Sequence, residues 1–142
     1  MKKILALVTL LIVPFIVRSQ TAGDAKISFQ SETIDFGTVT QGTEQIRTFT
    51  VTNTGTTPLV ITQIRGACGC TTFPDSYPKD PIQPGATVSF KVKYDTSVRV
   101  GMFDKQVMVY SNAVNNTNGM YTVKIKGNVV PSGATTVTTG GN

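Results

Sequence analysis

Two residues in this chain have the types and spacing to do chemistry: Cys68 and Cys70, in the stretch RGACGCTTFPD, with Gly69 between them. They are the only cysteines of the 142 residues. Three chemistries fit such a pair. As a disulfide, it joins Cα atoms that in an extended chain lie about 5.5–7 Å apart, at the upper edge of the usual range. The small ring needs a bend, which the φ freedom of Gly69 could supply. That bond would close too short a loop to stabilise the fold much and would reduce easily. As a metal clamp, two thiolates hold Cu(I) linearly or make half of a four-ligand zinc site. Met102, Met108 and Met120 are the candidate thioether partners for copper. As a redox couple, the spacing departs from the C-x-x-C of thioredoxin-like sites. The plainest reading has Cys68 ending a strand and Cys70 opening a loop, both as small apolar groups. Arg65 nearby could lower a thiol pKa, though it also reads as a solvated strand-end charge.

What is missing narrows the field. The chain has no histidine, so Ser–His and Cys–His arrangements and neutral imidazole ligands are out. Asp35, Asp75, Asp80 and Asp95 are scattered without calcium-loop spacing and read as turn caps and solvated charges. No cofactor is expected.

Residues 1–19 read as a secretory signal peptide: Lys2 and Lys3, an apolar run from Ile4 to Val17, then Arg18-Ser19 before Gln20. The run is shorter than the ~18 residues a bilayer span needs, so no membrane span is expected after cleavage. Val17 at −3 and Ser19 at −1 place cleavage before Gln20. No cysteine lies near that point to take a lipid. Three of the 13 basic residues leave with the leader, so ten face eight acidic ones, a net of +2. No cluster of Lys and Arg interleaves with aromatics, which argues against nucleic-acid binding. The expected location is the periplasm or outside the cell, where exported thiols seldom stay free.

The rest must position the cysteines, and it reads as strands and turns. In Thr87–Asp95, Val88, Phe90, Val92 and Tyr94 point one way and Ser89, Lys91 and Lys93 the other. Tyr121, Val123, Ile125, Gly127 and Val129 form a second inward set. Residues 27–29, 34–36, 45–53 and 105–112 supply further strands. LVITQI, Leu59–Ile64, alternates little, as expected of a strand covered by both neighbours. Asn53-Thr54-Gly55 reads as a turn whose Asn and Gly tolerate positive φ, and Pro84-Gly85 as a tight reversal. About seven short strands predict an all-β, immunoglobulin-like β-sandwich over residues 27–130. Residues 20–26 form a short N-terminal extension and 131–142 a flexible C-terminal tail.

Taken in order, Ile34-Asp35-Phe36-Gly37-Thr38-Val39, Phe49-Thr50-Val51-Thr52-Asn53-Thr54-Gly55, Pro58-Leu59-Val60-Ile61, Cys68-Gly69-Cys70-Thr71 and Pro81-Ile82-Gln83-Pro84-Gly85 form one pattern. With Gly101, Ser111-Asn112 and Gly127, it resembles the bacterial family catalogued as domain of unknown function 1573. The resemblance implies an exported immunoglobulin-type sandwich related to the cilia- and spindle-associated domains of the major-sperm-protein kind. The expected role is a non-catalytic binding or scaffolding module of the cell envelope. Its partner would be an envelope or extracellular protein or glycan, bound around Cys68, Gly69, Cys70 and Thr71 in the loop from Gly66 to Pro84. The alternative is a thiol-based copper-binding or redox protein using Cys68 and Cys70.

Overall fold

The structure, a computed structural model, describes residues 23–133. The expected leader and cleavage point, and the expected tail from residue 134 onward, lie outside those residues. Eight strands form two sheets: β1 (Ile27–Phe29), β2 (Thr33–Thr40), β3 (Glu44–Asn53), β4 (Ile61–Gly66), β5 (Thr71–Thr72), β6 (Thr87–Asp95), β7 (Gly101–Ser111) and β8 (Met120–Val130). One sheet has the order β1-β3-β6-β5 and the other β2-β8-β7-β4. This is the expected all-β immunoglobulin-like sandwich, and the described residues contain no helix.

The core follows from the alternation. Phe90, Val92 and Tyr94 of β6 are buried, as are Phe49 and Val51 of β3. They face Val107 and Val109 of β7 and Val123, Ile125 and Val129 of β8. Removing these branched and aromatic side chains from water is the main force holding the layers together. The N-terminal strand serves both layers. β1 pairs antiparallel with β3; the chain then crosses, and β2 runs parallel to β8. Asp35 and Thr38 flank a register shift in β2. There Gly37 takes φ +69°, and its N–H donates to Asp35 Oδ1 at 2.8 Å.

Three local expectations need correction. β4 is an edge strand, not one flanked on both sides. Its weak alternation comes from a register shift between Ile61 and Gln63, which puts buried Ile61 and Ile64 three residues apart. The segment breaks at Leu59, which instead bridges Ile82. The turn after β3 uses neither Asn53 nor Gly55 at positive φ. Asn53 is fully buried and its amide organises the turn, while a Cβ on Gly55 would run into Asp24 O and Lys26 N. The two-residue β5, which pairs with β6, adds the strand beyond the expected seven.

The expected Pro84-Gly85 reversal forms. Ala86 N donates to Gln83 O at 2.9 Å around Pro84-Gly85, with Gly85 at φ +78°. The β7–β8 hairpin turns on Asn118-Gly119, both at positive φ, the geometry that matches strand twist. Among the described residues no helix is long and apolar enough to cross a membrane.

Candidate functional site

The cysteine motif sits where the chain passes from one sheet to the other. Beyond β4, Ala67 N donates to Gln106 O at 2.9 Å, extending the ladder with β7. Cys68 O then accepts from Thr71 N at 3.2 Å, closing a turn, and Cys70 O accepts from Asp95 N at 2.8 Å on β6 of the opposite sheet. Gly66 is needed for this crossing, because a Cβ there would lie 2.5 Å from Thr71 Cβ and 2.9 Å from Thr71 O. Cys68 and Cys70 are joined by a disulfide, with Cα atoms 5.2 Å apart. The bend does not draw on the φ freedom of Gly69. That residue lies outside the left-handed region, and a Cβ on it would meet nothing within 4 Å. Its exposure leaves the flank of the disulfide uncovered.

The disulfide forms one wall of a groove of about 450 Å³. Tyr94 of β6 and Phe103 of β7 make the floor, stacked across the two sheets with ring centroids 3.8 Å apart and planes 11° apart. Phe36 packs on Phe103 at 5.8 Å and closes the stack from below. The opposite rim is the β6–β7 loop. Its base is fixed by Asp95, whose Oδ1 accepts from the N–H and hydroxyl of Ser97, and by buried Thr96, whose hydroxyl donates to Thr43 O at 2.7 Å. The Ser97 hydroxyl, then its N–H, hold the Asp95 carboxyl below its ordinary pKa. Burial pushes the Tyr94 hydroxyl above its own.

The loop tip is apolar and open. Val98 is 71% exposed and Val100 45%, and Met102, just inside β7, is 89% exposed. Three of the four large hydrophobic side chains most exposed among the described residues therefore gather at this end of the sandwich. Arg99 and Lys105 also line the groove, and neither has a carboxylate within 4 Å among the described residues. Among the described residues Asp95 is the one carboxylate lining the groove, so two cations against one anion, with an aromatic floor, suit a ligand with apolar groups and a negative charge.

Cys68, Gly69 and Cys70 thus line one groove, and buried Thr71 stands behind the disulfide, its hydroxyl 3.8 Å from Cys68 Sγ. Arg65 is exposed on β4 opposite Met108 and does not line the groove. Of the methionines only Met102 lies here; Met108 and Met120 belong to β7 and β8 beyond it. The bonded sulfurs offer no thiolate to a metal, and no group of three or more Cys, Asp or Glu gathers among the described residues. Sequence reasoning missed Arg99 and Lys105. Two signals pointed to them: apolar residues flanking Arg99 in a loop, and Lys105 in phase with buried Phe103, Val107 and Val109.

Solved structures share this fold. A protein of unknown function from Porphyromonas gingivalis W83 aligns with TM-score 0.64 at 16% identity, over 73% of this chain and 46% of its own. This chain therefore spans less than half of that protein. The human CEP192 ASH/PapD-like domain 7 aligns with TM-score 0.58 at 10% identity, over 93% of this chain and 99% of its own. The E. coli chaperone DraB aligns with TM-score 0.52 at 10% identity, over 75% of this chain and 55% of its own. At such identities the likeness establishes the fold. No curated protein matches the chain. The sequence pattern of the family described as "Protein of unknown function (DUF1573)" matches residues 27–129, the whole sandwich, and the chain belongs to that family.

Proposed function

We propose that the protein is a non-catalytic, exported immunoglobulin-like binding module of the bacterial cell envelope. Its ligand is an apolar segment of another exported protein carrying a carboxylate, received in the groove beside Cys68 and Cys70. One observation carries this reading: Val98 and Met102 stand exposed on a groove that Arg99 and Lys105 also line, without an ion-pair partner among the described residues, with exposed Val100 next to them in the chain. Exposed apolar side chains cost solubility, and their concentration at one end of an otherwise polar sandwich is the signature of an interaction surface. Unpaired cations beside them select for negative charge. The signal-like residues 1–19 support export. The shared fold with the chaperone DraB is consistent with a binding role.

The test uses the processed protein, recovered from the periplasm of an expressing cell and beginning at Gln20. Apolar peptides with a free or an amidated C-terminal carboxyl are titrated by fluorescence anisotropy. The carboxylate form should bind more tightly, with the difference shrinking in salt. Val98→Asp with Met102→Asp should weaken binding at least tenfold, and Arg99→Gln should abolish the preference for carboxylate. Affinities unchanged within twofold in both variants would remove the groove from consideration.

A further inference from the structure

The groove holds a disulfide whose two sulfurs are not equivalent. The Thr71 hydroxyl is buried, and its one hydrogen-bond contact among the described residues is Cys68 Sγ, 3.8 Å away. A disulfide sulfur carries no hydrogen, so the hydroxyl is the donor. The β4–β7 pairing ends with Gly66 opposite Val107, and the bond from Ala67 N to Gln106 O lies one residue further. Lys105 precedes Gln106 on β7 and lines the groove together with both cysteines. The hydroxyl thus distinguishes Cys68 from Cys70, while the Lys105 ammonium adds positive charge to the groove that holds them. Both favour a thiolate, and a more stable thiolate is the better leaving group.

We propose that this groove undergoes one stoichiometric thiol–disulfide exchange, without catalytic turnover, with a cysteine-bearing segment of its partner, Cys70 being the sulfur attacked and Cys68 the one released. The inference rests on the binding reading above and names its substrate class, an exposed pair of cysteines in an apolar, acidic segment. A thiolate of that segment attacks Cys70 Sγ. The Cys68–Cys70 bond breaks, and its electron pair stays on Cys68 Sγ, stabilised by the Thr71 hydroxyl and by the positive charge that Lys105 brings to the groove. The intermediate is a mixed disulfide between the segment and Cys70. The segment's second thiolate then attacks its own sulfur in that bond and releases Cys70 as a thiolate. The segment ends oxidised to a disulfide. Cys68 and Cys70 end reduced, and take up the two protons that the segment's thiols gave up. The open side of Gly69 suits this role, since a Cβ there would meet nothing within 4 Å and the bond can be approached from that side.

The processed, oxidised protein is mixed with a reduced apolar peptide that carries two cysteines and a free C-terminal carboxyl. Acid quench, alkylation and mass analysis follow peptide oxidation, with a blocked Cys-Gly-Cys disulfide tripeptide as the reference oxidant. We expect oxidation at least tenfold faster than by the tripeptide, with the trapped intermediate on Cys70. Thr71→Val and Lys105→Gln should each slow the reaction about fivefold, as loss of one hydrogen bond to the leaving sulfur or of one positive charge in its groove implies. Thr71→Ser keeps the hydroxyl and should restore the rate, which separates the chemistry from a packing defect. A rate within twofold of the tripeptide, or an intermediate on Cys68, overturns the proposal. A serine-for-cysteine peptide, titrated in parallel, reports binding alone. If it binds and no exchange occurs, this inference fails while the binding reading stands. If exchange is accelerated without such binding, the reverse holds.

Discussion

Asn53 offers the most demanding test of how the sandwich is held together. Its side chain is fully buried and makes four hydrogen bonds. Nδ2 donates to Thr57 O at 2.8 Å and Ile82 O at 2.9 Å, while Oδ1 accepts from Gly55 N at 2.9 Å and Lys26 N at 3.4 Å. One amide thus ties the end of β3 to the following turn, to the bridge at Ile82 and to the segment entering β1. Asn53→Ala removes all four. Ile82 O keeps Leu59 N as a partner, and the groups at Thr57, Gly55 and Lys26 can reach water. The four lost hydrogen bonds at about 0.5–1.5 kcal/mol each, plus the small void, give a loss of roughly 3–5 kcal/mol. A domain of this size has about 5–15 kcal/mol in total. In urea, with a slope of about 1–2 kcal/mol/M, the midpoint should fall by roughly 1.5–5 M. Asn53→Asp keeps the shape and the acceptor but loses both donors, and it sets a carboxylate against two carbonyl oxygens. Burial among acceptors would raise the folded pKa of that carboxyl above its unfolded value. The stability of Asn53→Asp relative to the parent should therefore be best in acid and fall as pH rises through the raised value. An Asn53→Ala loss below about 0.5 kcal/mol would refute the role assigned to the amide. So would an Asp variant that gains on the parent as pH rises.

Two further substitutions probe the layers around the groove. A Cβ at Gly127 would lie 2.7 Å and 2.8 Å from the Phe103 ring and 3.0 Å from Gly37 O. Gly127→Ala should cost about 1–3 kcal/mol by overpacking and lower the melting temperature by roughly 4–12 °C. Adding Phe103→Leu should return more than half of that loss in thermal circular dichroism, and no recovery would mean that the ring is not the obstacle. Asp95→Asn tests the base of the β6–β7 loop. The folded pKa of Asp95 is lowered by Ser97, so the ionised cap adds stability above the unfolded carboxylate pKa and loses it as pH falls through the lowered value. The variant should melt below the parent at neutral pH, and the gap should close on acidification. A gap constant with pH would show that the charge plays no part.

The strands that could be read in advance were those with one face in water. The alternation of β6 alone bounds it at Thr87 and Asp95, and that of β8 gives its inward face from Tyr121 to Val129. Where backbone irregularity or side-chain chemistry overrode the period, the reading failed. The shift at Gln63 in β4 mimicked a strand covered on both sides, and Asn53 passed for a turn residue when it is a buried hub. β5 has two residues and no pattern of its own, existing because Cys70 and Thr71 meet β6. The motif at Cys68 to Thr71 was visible as chemistry, but its setting was not. Lys105 lies 35 positions after Cys70, and only the fold brings it into one groove with the two cysteines. The exposed Val98 and Met102 gain meaning only once the loop is seen to face the disulfide.

A sandwich can bind through its loops or by accepting an added strand at a sheet edge, and the edges of this molecule argue for the loops. An open edge recruits a strand through unpaired backbone groups. At β1, the Asn115 side chain occupies both such groups of Ile27, accepting from its N–H at 2.9 Å and donating to its carbonyl at 2.8 Å. At β2, Arg47 donates to Phe36 O at 3.3 Å beside the distortion at Asp35 to Thr38. At β4, the Tyr77 hydroxyl donates to Thr62 O at 2.6 Å. At β6, β5 and Cys70 pair with the upper half, while Phe73 packs on Phe90 and Asp75 bonds Lys91 at 2.7 Å lower down. Each edge is thus engaged by a side chain or a loop of the same chain, and an incoming strand would have to displace it. The groove at the disulfide end asks for no such exchange, because its apolar rim and its two cations already face solvent. If binding instead proceeded by strand addition, Asn115→Ala, which frees the β1 edge, would strengthen it. On the geometry described here that substitution should leave the affinity of the groove for a carboxylate peptide unchanged.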